Sequence, residues 1–196
     1  MIDSFTSITN QATETLKGRI SSEWFNADGT PKPNYIWKIS DPTKKGDGGE
    51  EIVGQVFETI YKELYPNYEV IVNVVGADKG DFDVIVTITD LDLVIKIEVK
   101  TATQDTNKNF QFNGLKKHID YDYAFGVGVT PDDFLFSIVT REHLEETLTT
   151  NMNRDVIGSY KWSQRASTCR KLTPSNLLSR MNELGLIRGD VAKVSL

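Results

Sequence analysis

The chain has 196 residues, a mass of 22.1 kDa and a formal net charge of −6, with 39% hydrophobic and 26% charged residues. That size suits one domain or one core with appendages, and the composition is that of a soluble globular protein rather than a disordered chain. The single cysteine, Cys169, excludes an internal disulfide, no apolar run approaches a membrane span, and the start, MIDSFTSITNQ, is not a signal peptide. A cytoplasmic location is the expectation.

Residues 1–47 read as an N-terminal arm that packs on the core or forms a dimer interface. A helix is expected from Ser7 to Trp24 and a short strand from Tyr35 to Ile39, with loops between them and at Lys44–Gly49. Val53, Val56, Phe57, Ile60 and Leu64 then recur at helical spacing, so residues 50–65 predict a helix. Glu50 sits at the edge of that apolar stripe. Asp47, three residues earlier, gives it a plain capping explanation beside any functional one.

Tyr68 to Val75 is strand-like. From Lys79 to Thr103 the sequence is KGDFDVIVTITDLDLVIKIEVKTAT. Apolar residues fall at every second position in both halves, and Thr89–Asp92 carries turn residues, so a hairpin is predicted. Phe82, Val84, Val86 and Ile88 form one buried face, with Leu93, Ile95, Ile97 and Val99 on the same side. A turn centred between Asp90 and Leu91 sets Asp83 opposite Glu98 and Asp81 opposite Lys100. A slip of one residue would turn the charges into the core, so the pattern fixes the register.

Beyond Thr103 a helix is expected over Phe110–His118, strands over Tyr121–Val129 and Phe134–Val139, and a helix from Thr140 to about Leu148. Thr173-Pro174-Ser175 opens a last helix that stops at Gly185. Residues 48–150 thus form the expected core and 151–196 a basic helical extension. From Arg154 to Leu196 there are eight Lys/Arg to three Asp/Glu, against eight to nineteen from Gly48 to Asn153. A basic tail on an acidic core suits contact with a polyanion, although a solvated basic helix gives the same balance. Arg165, Arg170 and Lys171 are the candidate contacts.

Carboxylates gathered at one end of a hairpin repel one another, and a divalent cation commonly holds such groups together. Oxygen ligands with room for water suit Mg²⁺, or Mn²⁺, rather than Zn²⁺. His118 and His143 each stand alone and no cysteine lies near either, which argues against zinc. A lysine on the same face can orient a water or stabilise charge on a phosphate. An ordinary ladder of opposite charges across a hairpin remains the plain alternative.

Gly80-Asp81-Phe82-Asp83-Val84-Ile85, followed by Ile97-Glu98-Val99-Lys100-Thr101, resembles the paired motif of the PD-(D/E)XK nuclease superfamily. The resemblance covers about residues 48–130. It implies an α/β (α+β) restriction-endonuclease-like core, a mixed central sheet flanked by helices in the order αβββαβ. It also implies metal ligation by Asp83 and Glu98, with Asp81 in reserve, and catalytic roles for Asp83, Glu98, Lys100 and Glu50. Phe82 stands where the family often has proline. Additions at both ends of a small core look most like a type II restriction endonuclease, a Mg²⁺-dependent homodimer that cuts double-stranded DNA. A DNA repair or recombination nuclease of the same fold, or a non-cleaving DNA-binding subunit that keeps the fold, stays open beside it.

Overall fold

The computed structural model describes residues 42–75, 82–105, 107–116, 120–130, 133–148 and 159–187, with Ser7, Ala27, Asp28 and Thr30. The helix and strand expected in the N-terminal arm, Asp81 and His118 lie outside the described residues. None of the described helices is long and apolar enough to cross a membrane.

Helix α1, Pro42–Leu64, buries Val53, Val56, Phe57 and Ile60 along one stripe. It starts well before residue 50, taking in the glycines read as a loop. Gly48 and Gly49 are buried, so these glycines serve close packing rather than a turn.

Strands β1 (Val70–Val74), β2 (Val84–Ile88) and β3 (Leu93–Thr103) form an antiparallel meander. The β2–β3 turn is a single 3-10 turn over Thr89–Leu91, closed by Asp92 in the left-handed region at φ 48°. Val84 pairs with Ile97 and Val86 with Ile95, which is the register the hydrophobic pattern predicts. β3 then runs parallel to β5 (Tyr123–Val129), which pairs antiparallel with β6 (Phe134–Thr140). The two-residue β8, Arg170–Lys171, closes a six-stranded mixed sheet of order β1-β2-β3-β5-β6-β8.

The crossover from β3 to β5 departs from the expected helix. Residues Asn109–Lys116 form strand β4, which pairs antiparallel with β7, Ser159–Arg165, as a separate two-stranded ribbon. The order αβββαβ is therefore not what the chain adopts; a strand stands where the second helix was expected. The partner strand lies more than forty residues downstream, so no local periodicity could reveal it. A bulge between Phe112 and Leu115, with Gly114 at φ +78°, keeps both apolar residues inward at a spacing of three, which imitates a helix.

The tail is not an appended helical extension either. β7 completes the ribbon, β8 joins the central sheet, and α3 (Pro174–Glu183), capped by Thr173 and followed by Gly185 at φ +69°, is the α-helix among the described residues of the tail. Helix α2, Arg141–Leu148, follows β6 as expected.

The sheet has a core on each face. α1 and α3 cover one, where Val84, Val86, Ile88, Leu93, Ile95, Ile97 and Val99 point. The ribbon and Leu144 of α2 cover the other, packed on Ala102, Ala124 and Val139. The ribbon sits down closely because β5 carries glycine at 126 and 128. A Cβ on Gly126 would lie 2.7 Å from the Phe112 ring, and one on Gly128 equally close to Phe110.

Candidate active site

The hairpin pattern puts the even-numbered side chains of β3 on the ribbon side of the sheet, so Glu98 and Lys100 share a face. Asp83 comes to them from the residue just before β2. Its backbone continues the ladder, with Asp83 N–H donating to the Ile97 carbonyl at 3.0 Å. Its side chain extends the pairing one step further: Val99 N–H donates to Asp83 Oδ2 at 2.7 Å. A backbone donor at the end of a ladder needs a partner, and a carboxylate is a strong one.

Lys100 Nζ lies 2.5 Å from Glu98 Oε1 and 3.5 Å from Asp83 Oδ2. The side chains of Glu98, Asp83 and Lys100 retain 6%, 12% and 23% of their accessible surface. Two carboxylates and one ammonium are thus held in a largely dry pocket with a net negative charge. Burial works against the Lys100 charge, but the attraction of Glu98 and Asp83 outweighs it and holds the ammonium above the usual lysine range.

Glu50 on α1 belongs to the same electrostatic group. Its carboxyl is pushed up to about 7, by burial first and then by the charge of Asp83, with Asp47 and Glu98 adding to this and Lys100 opposing it. The first turns of α1 reach the site because Gly49 packs directly on Thr101, the residue after Lys100. The Thr101 hydroxyl is buried there with no hydrogen-bond partner.

Phe82 departs from the expected face. It lies in the bend before β2 and packs in the ribbon-side core, with Lys96 Nζ 5.6 Å from its ring centroid. Strand alternation breaks at a bend, and the Val84–Val86–Ile88 face therefore ends at Val84.

The three basic candidates separate. Arg170 Nη2 donates to both carboxylate oxygens of Glu183, at 2.8 and 2.9 Å, and Lys171 pairs with Asp133 at 2.6 Å. Both sit on β8, the sheet edge three strands from β3, and each has an acidic neighbour within the fold. Arg165 is exposed at the end of β7. Sequence reading missed Gly126 and Gly128, which seat the ribbon beside the site. Gly126 pairs with Lys100 across β3 and β5. Glycines at alternate positions of a buried strand were the available signal.

Among the described residues no three His, Cys, Asp or Glu side chains gather closely enough to cage a metal by themselves. Asp83 and Glu98 instead form a two-carboxylate, all-oxygen set. That fits Mg²⁺, which keeps waters and phosphate oxygens among its ligands, better than zinc. His143 is exposed on α2, and burial raises the Cys169 thiol to about 11, so neither offers a zinc ligand or a nucleophile. A recess of about 440 Å³ at the start of β5 is lined by Asp120, Asp122, Arg141, Glu142 and Glu145. Three of its acids have partners in the fold: Asp120 pairs with Lys96, Asp122 accepts from Lys96 N–H, and Glu145 pairs with Arg141.

No protein-family model matches the chain, and no curated protein does. Among solved structures, a bacterial homing endonuclease, I-Ssp6803I, is similar over 70% of this chain and 86% of its own, at 14% identity and a TM-score of 0.38. MepB is similar over 56% of this chain and 78% of its own, at 11% identity and a TM-score of 0.28. Scores this low transfer neither a fold assignment nor an activity.

Proposed function

We propose that the protein is a Mg²⁺-dependent nuclease of the PD-(D/E)XK kind that hydrolyses DNA phosphodiester bonds, and that it works as a homodimeric type II restriction endonuclease in the cytoplasm. The observation that carries this reading is the burial of Asp83 and Glu98 side by side with Lys100 bridging them. Burying like charges costs several kcal/mol per ion and needs compensation, of the order given for buried ion pairs. A binding module without chemistry would have no use for that arrangement.

In this reading Asp83 and Glu98 hold the cation, which Mn²⁺ could replace. When bound, the cation supplies polarisation of the scissile phosphate and acidification of a water ligand. Lys100 holds its proton and donates a hydrogen bond to the attacking water or to a non-bridging phosphate oxygen, where negative charge builds up. Glu50, titrating near neutrality, is suited to take the proton that the water gives up. A dimer places one such site on each strand of the duplex.

Purified protein incubated with supercoiled plasmid, with Mg²⁺ and with EDTA, tests the proposal. Discrete fragments that appear only with Mg²⁺ and vanish in Glu98→Ala support a restriction enzyme. A Mg²⁺-dependent smear would keep the nuclease but discard the restriction role. Absence of cutting in the wild type would sink the enzyme reading, and cutting by Glu98→Ala would sink the site.

A further inference from the structure

The ribbon of β4 and β7 has two different faces. Phe110, Phe112, Leu115 and Trp162 face the sheet and are buried. The other face carries Asn109, Gln111 and Asn113 from β4 and Lys161, Ser163 and Arg165 from β7. Asn109 pairs with Arg165 and Gln111 with Ser163 across the ladder. This face has amides, a hydroxyl and two cations, and the carboxylate that reaches it, Asp105 at the end of the ribbon, is bonded to Gln111 Nε2 and to backbone N–H groups.

The cations here differ from those elsewhere. Among the residues whose side chains are described, Lys62, Arg141 and Arg180 on helices each pair with an acid, as do Lys96, Lys100, Arg170 and Lys171 on the sheet. Lys161, Arg165 and Lys108, in the turn leading into β4, have no acidic partner among the described residues. Among the described residues the cations without an acidic partner gather on this ribbon, a positive patch in a chain of net charge −6.

The end of the ribbon is also built rather than ragged. Asp105 accepts from Asn107 N–H and Asn109 N–H at 2.9 and 2.8 Å, and from Gln111 Nε2 at 3.1 Å. Lys108 takes the left-handed region at φ 62°, and its carbonyl accepts from Ala166 N–H. Asn107, Lys108, Asn109, Arg165 and Ser167 then line a recess of about 340 Å³ with no acid in its wall.

We propose that the outer face of this ribbon enters the major groove of duplex DNA, with Lys161, Arg165 and Lys108 on phosphates and Gln111 and Asn113 on base edges. The major groove, about 12 Å wide, admits a two-stranded ribbon, and amide side chains match the donor and acceptor pairs that bases present there. Phe112 rests on Gly126, which pairs with Lys100, so the ribbon rises from the strand next to the site. A duplex whose phosphate meets Lys100 has its groove beside the ribbon. The inference rests on the nuclease reading for its choice of DNA, but binding alone can test it.

The experiment is fluorescence anisotropy of the full chain with a mixed-sequence DNA duplex, without divalent cation, across a salt series. The double variant Lys161→Gln/Arg165→Gln is expected to lower the slope of log affinity against log salt by about 2, one for each phosphate that the two side chains neutralise. Arg170→Gln/Lys171→Gln is expected to leave that slope unchanged. Gln111→Ala/Asn113→Ala is expected to keep mixed-sequence binding while altering the plasmid fragment pattern. A wild-type slope in the Lys161/Arg165 variant overturns the ribbon assignment even where Glu98→Ala abolishes cutting. Duplex binding without cutting, with the slope still falling in that variant, would retain the ribbon and discard the nuclease. A wild type that does not bind duplex DNA overturns the ribbon outright.

Discussion

Gly49 of α1 and Thr101 of β3 approach so closely that a Cβ on Gly49 would lie 1.8 Å from Thr101 Oγ1 and 3.0 Å from its Cβ. This approach fixes how far the start of α1, and Glu50 with it, can reach over Lys100. Gly49→Ala must push the helix off the strand, at a cost of about 1–3 kcal/mol for overpacking. Gly46, one turn earlier, meets only Glu50 Oε1, at 4.0 Å, among the described residues. Gly46→Ala should therefore be neutral or stabilising by up to about 1 kcal/mol through helix propensity. Urea unfolding of the two variants measures both, and equal midpoints would show that the close packing is not a constraint.

Lys100 is the only cation touching the buried Asp83 and Glu98 among the described residues. Lys100→Met keeps the aliphatic stem and leaves two like charges together. Removing one partner of a buried pair costs about 3–5 kcal/mol, with the lower end expected here because the site is not fully closed. Millimolar Mg²⁺ should raise the unfolding midpoint of Lys100→Met more than that of the wild type. No response to Mg²⁺ in either protein would count against a cation site at Asp83 and Glu98.

The Glu50 carboxyl binds its proton more tightly in the folded chain, where it titrates near 7, than at its ordinary value of 4.5. Between those two values the folded state holds more protons than the unfolded one, so the Glu50 contribution to stability falls as pH rises through that window. Glu50→Gln removes the penalty. The variant should be more stable than wild type above pH 7 and indistinguishable below 4.5, with a modest gain because Glu50 is half-exposed. Denaturation midpoints at the two ends of the window decide it. A constant difference across the range would mean that the carboxyl is not perturbed.

Gly126→Ala would set a methyl group 2.7 Å from the Phe112 ring and 3.0 Å from Trp162. The ribbon must lift from β5, again at about 1–3 kcal/mol. With Trp24 and Trp37 replaced by Phe, the emission of Trp162 should shift to the red as water reaches it. Unchanged emission would place the ribbon elsewhere.

The hairpin was legible because alternation in both strands and a polar turn each point to one register, and the Asp83–Glu98–Lys100 grouping follows from that register alone. Helix α3 was legible for a similar reason, with a cap, a proline and a terminal glycine in their usual places. The ribbon was not. Phe112 and Leu115 fall three apart only because a bulge absorbs one residue, and β7 becomes its partner only in three dimensions. Glycine misled at the start of α1, since the same residue type serves a turn and a close approach. Net charge could not show that Arg170 and Lys171 pair with Glu183 and with Asp133, the latter outside that stretch.

A ribbon held through one face separates two kinds of inheritance. Phe110, Phe112 and Trp162 answer to folding, because each is buried against the sheet. Gln111, Asn113, Lys161, Ser163 and Arg165 point away from it, so exchanging them leaves both cores undisturbed. Neither do they touch Asp83, Glu98 or Lys100. The residues of the outer face can therefore change between descendants of this chain by single substitutions, while the fold and the buried charges beside it stay as they are.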